Sequence, residues 1–315
     1  MTHLMKATGG SERPTFERPF HERVKRLPVL GIGVSTEYGA RKSGLDLFEL
    51  ARRYPQWARF LEVGVEVEKG LDSDALRWSG ERRATTYHFL DVNLDEPQDL
   101  ESAWLSKVQG LAAKVAPAWM CGDLGLWHFG PRDRAHMLLL PPVLTAESAT
   151  AMAAGIVGLR AAVGLEVLPE NPPGEVFIGD MHILEYFARV AEEADTGLLV
   201  DLAHLAMFQR AKGLDVRAGL EFVPWERVVE IHIAGGTERD FQGYRWVEDS
   251  HGGAPLPEVW ELFEEFVGRA ENLKAVVFEC ERNPIEATVA GFERIEATCR
   301  RGLVGRGRWA SEVLA

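Results

Sequence analysis

Cysteine is scarce and unpatterned in this chain. Cys121, Cys280 and Cys299 form no C-x-x-C pair and no even set, so neither a disulfide framework nor a closed thiolate zinc site is expected. A reducing compartment, the cytoplasm, is the default. No stretch approaches the roughly 18 consecutive apolar residues of a membrane span, and the first 28 residues are too polar for a signal peptide. Cationic residues are outnumbered, 35 Lys and Arg against 48 Asp and Glu, which leaves a net charge of −13 over 315 residues. That balance argues against nucleic acid or an anionic membrane as partner, because both need a positive surface. The short clusters Arg82-Arg83 and Arg300-Arg301 do not offset the field.

Apolar residues make up 46% of the chain, enough for a sizeable core. They fall in short runs: Val29 to Val34, Phe60 to Val65, Thr85 to Leu90, Ala118 to Cys121, Leu165 to Leu168, Gly197 to Val200, Val228 to Ile233 and Ala275 to Phe278. Between them lie amphipathic stretches such as Leu100 to Val115, Ala146 to Val163, His182 to Ala194 and Pro257 to Ala270. Eight strands alternating with helices predict an α/β fold, a TIM-type (β/α)8 barrel, rather than a doubly wound sheet. With no linker or repeat in view, one domain is expected over 29–300. A loosely held extension precedes it at 1–28, and a tail follows at 301–315.

Barrel enzymes draw their chemistry from the carboxyl ends of the strands, and the runs end on polar residues. The second carries Glu62, the third His88, the fourth Asp123 and the fifth Glu170-Asn171. The sixth carries Asp201 and His204, the seventh Glu230 and His232, and the eighth Glu279. The connection from Ala234 to about Pro255 is long for a βα loop and adds Asp249-Ser250-His251-Gly252-Gly253. Singly, each residue has an ordinary role: Asp201 as a helix N-cap, Glu170-Asn171 as a cap, His232 as a core histidine paired with Glu230. Together, carboxylates and imidazoles converging from so many strand ends need cations, and a multinuclear metal site supplies them. Oxygen and nitrogen donors suit iron, manganese or zinc. Cys280 is turned from the axis by strand alternation, Cys299 belongs to helix packing, and Cys121, nearer the site, reads as structural.

In order and spacing, His88, Glu170-Asn171-Pro172, Asp201-Leu-Ala-His204, Glu230-Ile-His232-Ile-Ala-Gly235, Asp249-Ser-His251-Gly252 and Glu279 form a recognisable set. They resemble the multinuclear non-haem iron-dependent oxidative enzymes, the methanobactin-biosynthesis-type TIM barrels. The resemblance runs from about Leu30 to about Ile295. It implies a xylose-isomerase-like barrel holding two or three iron ions on His88, Glu170, Asn171, Asp201, His204, His232, Asp249, His251 and Glu279. Asp123 and Glu230 stand as further candidates, and Asp249 and His251 are expected in catalysis. The implied activity is dioxygen-dependent oxidation of a residue, usually cysteine, in a ribosomally made precursor peptide, delivered by a small leader-peptide-binding partner protein. The sequence departs from the family where an acid-His pair usually closes the fourth strand: Gly122-Asp123-Leu124 puts leucine in the histidine's place, leaving two ions or three open. Ser35-Thr36-Glu37 and Glu62-Val-Gly-Val-Glu66 also diverge. The competing readings are a divalent-metal sugar isomerase or hydrolase on the same barrel, and a non-catalytic peptide-binding scaffold.

Overall fold

Eight strands, parallel throughout, close into a barrel. In chain order they are β1 (Gly31–Ser35), β2 (Phe60–Val65), β3 (Ala84–Phe89), β4 (Met120–Asp123), β5 (Val167–Glu170), β6 (Leu198–Asp201), β7 (Val228–Ala234) and, after an excursion of two further strands, β10 (Ala275–Glu279). Each pairs with its chain neighbours, and β1 closes the ring against β10, with Gly31 opposite Ala275. The barrel, not the doubly wound sheet, is therefore the architecture. The computed structural model describes residues 16–36, 44–130, 134, 138–252 and 254–302. Residues 1–15 of the expected extension, Glu37, Gly253 and residues 303–315 of the expected tail lie outside them.

Apart from the short helix that closes the barrel floor, the helices pack outside the strands, and sequence sets their limits. Asp72 caps α3 (Ser73–Gly80) by accepting from Ala75 N at 2.7 Å, and Thr145 caps α5 (Ala146–Val163) in the same way. Gly164, left-handed, ends α5. In α6 (Ile183–Glu193), Ile183, Leu184, Phe187, Val190 and Ala191 are buried, the face expected from their spacing. The remaining helices are α1 (Phe20–Arg23), α2 (Leu47–Arg53), α4 (Ser102–Val115), α7 (Leu202–Lys212), α8 (Pro257–Arg269) and α9 (Ile285–Gly302).

Two separate apolar cores result. The outer one lies between strands and helices; the inner one fills the barrel near the strand starts, with Phe60, Trp119, Leu168, Leu199, Val229, Ala275 and Val277. Gly33 is a glycine because a Cβ there would come within 2.5 Å of the Phe60 ring. Phe20 and Val24 complete the inner core, so residues 20–26 plug the barrel floor instead of hanging loose as expected. Long-range partners hold them: Arg23 Nε donates to Glu166 Oε1 at 2.5 Å, and Phe20 N to Asp195 Oδ2 at 2.9 Å. Charge and proline in the local sequence do not reveal such contacts.

The long connection after β7 is an antiparallel hairpin, β8 (Gly236–Phe241) and β9 (Tyr244–Asp249), turned at Gln242-Gly243, both with positive φ. Its register pairs Gly236 with Asp249, which returns the chain to the barrel mouth.

Candidate metal centre

Strand alternation decides which side chains enter the barrel. On β4, Cys121 and Asp123 turn inward, and Leu124 packs in the outer core. A histidine at position 124 would thus face the helices, and the β4 contribution to the mouth is Asp123. The departure at Leu124 removes nothing from the cluster.

Glu170, at the end of β5, is the hub. His88 Nε2–H donates to its Oε2 at 2.6 Å, while its Oε1 lies 3.1 Å from His232 Nδ1 and 4.0 Å from His204 Nδ1. His232 Nε2 in turn stands 3.1 Å from Glu62 Oε1, and its Nδ1 is 3.5 Å from Glu279 Oε1. His232 therefore belongs with Glu62, Glu170 and Glu279; the expected partner, Glu230, instead accepts from Trp119 Nε1 at 2.6 Å one layer deeper.

Asp201 fulfils its N-cap reading and keeps one oxygen open. Its Oδ1 caps α7 by accepting from His204 N at 2.6 Å, which leaves Oδ2 buried without a partner. Because α7 begins on the very next residue, the cap also places the His204 ring over the mouth. His204 Nδ1–H donates to the Asn171 carbonyl at 2.8 Å, which turns Nε2 toward Asp249 Oδ2 at 3.3 Å. Asn171, expected as a ligand, uses its amide otherwise: Nδ2 donates to the Asp201 carbonyl and Oδ1 accepts from Asp201 N, at 2.9 and 3.0 Å. It braces β5 against β6.

The hairpin brings in the last two groups. His251, left-handed at φ +47°, donates from Nδ1 to Glu281 Oε1 at 2.6 Å, and its Nε2 lies 3.2 Å from Asp249 Oδ2. Glu281 was not foreseen as part of the site, and Glu62, read among the converging strand-end acids, was absent from the implied ligand set. Glu62 was visible as the polar interruption of an apolar run. Glu281 is signalled only by the Glu279-x-Glu281 spacing, which returns a side chain to the same face. His128, four residues beyond Leu124, bonds Asp99 at 3.0 Å in a separate buried network with Arg134, so it is a core residue.

Seven carboxylates (Glu62, Asp123, Glu170, Asp201, Asp249, Glu279, Glu281) thus meet four imidazoles (His88, His204, His232, His251), mostly buried. Burial lifts the Asp123 carboxyl, and the Glu170 charge takes it to about 8. Burial opposes a charge on His88, yet Glu170 beside it holds the imidazole up at about 9. Glu170 itself, despite burial, is held well below the ordinary carboxylate range by His232 and His88. Burial drives Glu279 far up, and Glu230 reaches about 8 through burial and the Glu62 charge. Without cations, then, the cluster must bind extra protons.

The donors fit metal ions. Buried Asp123 Oδ1, Asp201 Oδ2, Asp249 Oδ1 and Glu279 Oε2 have no hydrogen-bond partner, an arrangement that costs about 1–3 kcal/mol per group unless something else coordinates them, and both His232 nitrogens face carboxylate oxygens at 3.1 Å. Among the described residues, three groups can each surround one ion at the mouth, with donor atoms within 4.8 Å: His88, Asp123 and Glu170; Glu170, Asp201 and His204; and Glu62, His232 and Glu279. Above them opens a cleft of about 240 Å³ lined by Ser35, Leu90, Trp127, Pro173 and the cluster.

Fold and site together define a barrel built for metal-dependent catalysis. The sequence profile of the RiPP precursor modification enzyme MbnB/TglH/ChrH family matches residues 40–299, and the chain belongs to that family. A UPF0276 protein of Bordetella bronchiseptica is 30% identical over 255 residues, covering 78% of this chain and 86% of that protein. One from Anaeromyxobacter sp. is 27% identical over 192 residues, covering 60% of this chain and 66% of that protein. Among solved structures, a xylose isomerase-like TIM barrel protein from Mycobacterium smegmatis in complex with magnesium superposes with a TM-score of 0.53 at 11% identity, covering 88% of this chain and 99% of that one. That likeness concerns the fold alone.

Proposed function

We propose that the chain is an iron-dependent enzyme that uses dioxygen to oxidise a residue, cysteine first, of a ribosomally synthesised precursor peptide. The observation that carries this reading is the set of unpartnered, buried carboxylate oxygens among the imidazoles of the mouth, joined to membership of a precursor-modifying family. Glu62, His88, Asp123, Glu170, Asp201, His204, His232, Asp249, His251 and Glu279 would hold two or three ions. Bound iron would supply adjacent positions for a substrate thiolate and dioxygen and would pass electrons to dioxygen, the oxidant.

The chain's own groups do the rest. Glu281 fixes the His251 tautomer with Nε2 toward the cluster, and the Asn171 carbonyl does the same for His204. Asp249 and His251, about one-fifth exposed, are the cluster members at the open rim, where an arriving thiol first meets the site. The cleft admits side chains and not a folded domain, so the substrate enters as an extended segment. The loops after β4 and β5 expose Phe129, Leu140, Val176 and Ile178, apolar surface suited to the peptide and its small carrier protein. No helix among the described residues is long and apolar enough to cross a membrane, and the cytoplasm, which keeps the three buried thiols reduced, is the proposed site of action.

The test is metal analysis of protein purified without oxygen, with absorbance recorded before and after air in the presence of a cysteine peptide. More than one iron per chain and an oxygen-sensitive thiolate-to-iron band are expected. Full occupancy by zinc or manganese, with no redox change, would overturn the oxidative reading and favour an isomerase or hydrolase.

A further inference from the structure

One layer below the mouth, Glu62, Cys121 and Glu230 bring their donor atoms within 4.8 Å of one another. All three are buried, Cys121 and Glu230 completely. Glu62 straddles the two layers. Its Oε1 faces His232 Nε2 at 3.1 Å above, and its Oε2 accepts from the Cys121 thiol at 3.1 Å below. Glu230 accepts from Trp119 Nε1 through Oε2, and its Oε1 has no partner at all. A buried, unpartnered carboxylate oxygen beside a second carboxylate and a thiol is a donor set without an acceptor.

We propose that Cys121, Glu230 and Glu62 form a further metal position beneath the mouth, with the Cys121 thiolate as ligand and Glu62 bridging to the ion above. The inference rests on the metal-dependent reading of the mouth and extends it downward. The donor set differs in kind from the oxygen and nitrogen ligands above it, and one soft sulfur selects a borderline ion such as ferrous iron, cobalt(II) or zinc over magnesium or manganese. Coordination replaces the S–H bond with a metal–sulfur bond, and the thiol proton leaves to solvent. Cys280 and Cys299 are no rivals for this role: Cys280 is turned to the outer core, and Cys299 lies on α9.

The experiment is anaerobic titration of the metal-free, full-length protein with cobalt(II), followed by optical absorbance. A near-ultraviolet thiolate-to-cobalt band is expected, together with weaker visible bands from the mouth. Cys121→Ser should abolish the near-ultraviolet band and lower the bound metal by one equivalent while the visible bands remain. A near-ultraviolet band that survives in Cys121→Ser overturns the assignment. Bound cobalt without any sulfur band overturns the deep position and leaves the mouth reading standing, whereas no cobalt binding at all removes both. Because a core substitution can prevent folding, the zinc-loaded unsubstituted protein provides an independent reading by X-ray absorption. One sulfur at about 2.3 Å supports the proposal, and a shell of oxygen and nitrogen alone refutes it.

Discussion

Glu170 is the residue on which the mouth most depends, and replacing it with glutamine tests the cluster directly. It belongs to two of the candidate ion positions, one with His88 and Asp123 and the other with Asp201 and His204, so Glu170→Gln should empty both together. An ion present at about 100 times its dissociation constant stabilises the folded state by about 2.7 kcal/mol, so two ions contribute about 5 kcal/mol. With an unfolding entropy of about 2.1 cal/mol/K per residue and 315 residues, that is a rise of about 8 °C in Tm. Calorimetry with metal and with chelator should show this rise in the native protein and little of it in Glu170→Gln. The metal-to-protein ratio should fall by two, and far-ultraviolet circular dichroism should be unchanged. A Glu170→Gln protein that keeps both its full metal complement and the full rise would refute the shared-ligand argument.

The metal-free protein should lose stability as pH rises from 6.5 to 9. Asp123, lifted from 3.8 to about 8, and His88, lifted from 6.5 to about 9, both hold protons more tightly folded than unfolded. Their contribution is complete below the unfolded values and vanishes as pH passes the folded ones. Urea midpoints across that range should fall without metal and stay level with it; a rise without metal would contradict the electrostatic account. Glu281→Gln should weaken metal binding by about 10–100-fold through the His251 orientation, measured by competition with a chelating dye, and unchanged affinity would make Glu281 a bystander. Phe20→Ala should cost about 3–5 kcal/mol through the cavity left in the floor while leaving the metal ratio intact, and a loss of metal would show that floor and mouth are coupled.

The barrel was legible because its strands are buried on both faces, so each one is largely apolar, broken in β2, β3 and β7 by inward groups such as Glu62, His88, Glu230 and His232. The ends of those runs were less so, and for a reason tied to function. β4, β5, β6 and β10 each continue to the acid that serves the mouth, Asp123, Glu170, Asp201 and Glu279, where apolarity has already stopped. α7 announced no stripe because Leu202, Ala203, Leu205, Ala206, Met207 and Phe208 are buried nearly all round. The hairpin was hidden for the opposite reason, since β8 exposes most of its residues and offers no alternation to read.

The mouth residues were found as a set because their types are improbable at strand ends, yet their roles were not fixed by type. Asn171 and Glu281 carry chemically suitable oxygens, but hydrogen bonds spend the first on the Asp201 backbone and the second on the His251 ring. Leu124 looked like a lost ligand only while the fourth strand was read as a string of letters. Once alternation is imposed, position 124 faces the helices, and the inward positions of the same strand are Cys121 and Asp123. The number of ions this barrel can hold is therefore a question about depth. Each inward-facing layer is supplied by different residues of the same strands, and Glu62, with one oxygen toward each layer, is the group through which they communicate.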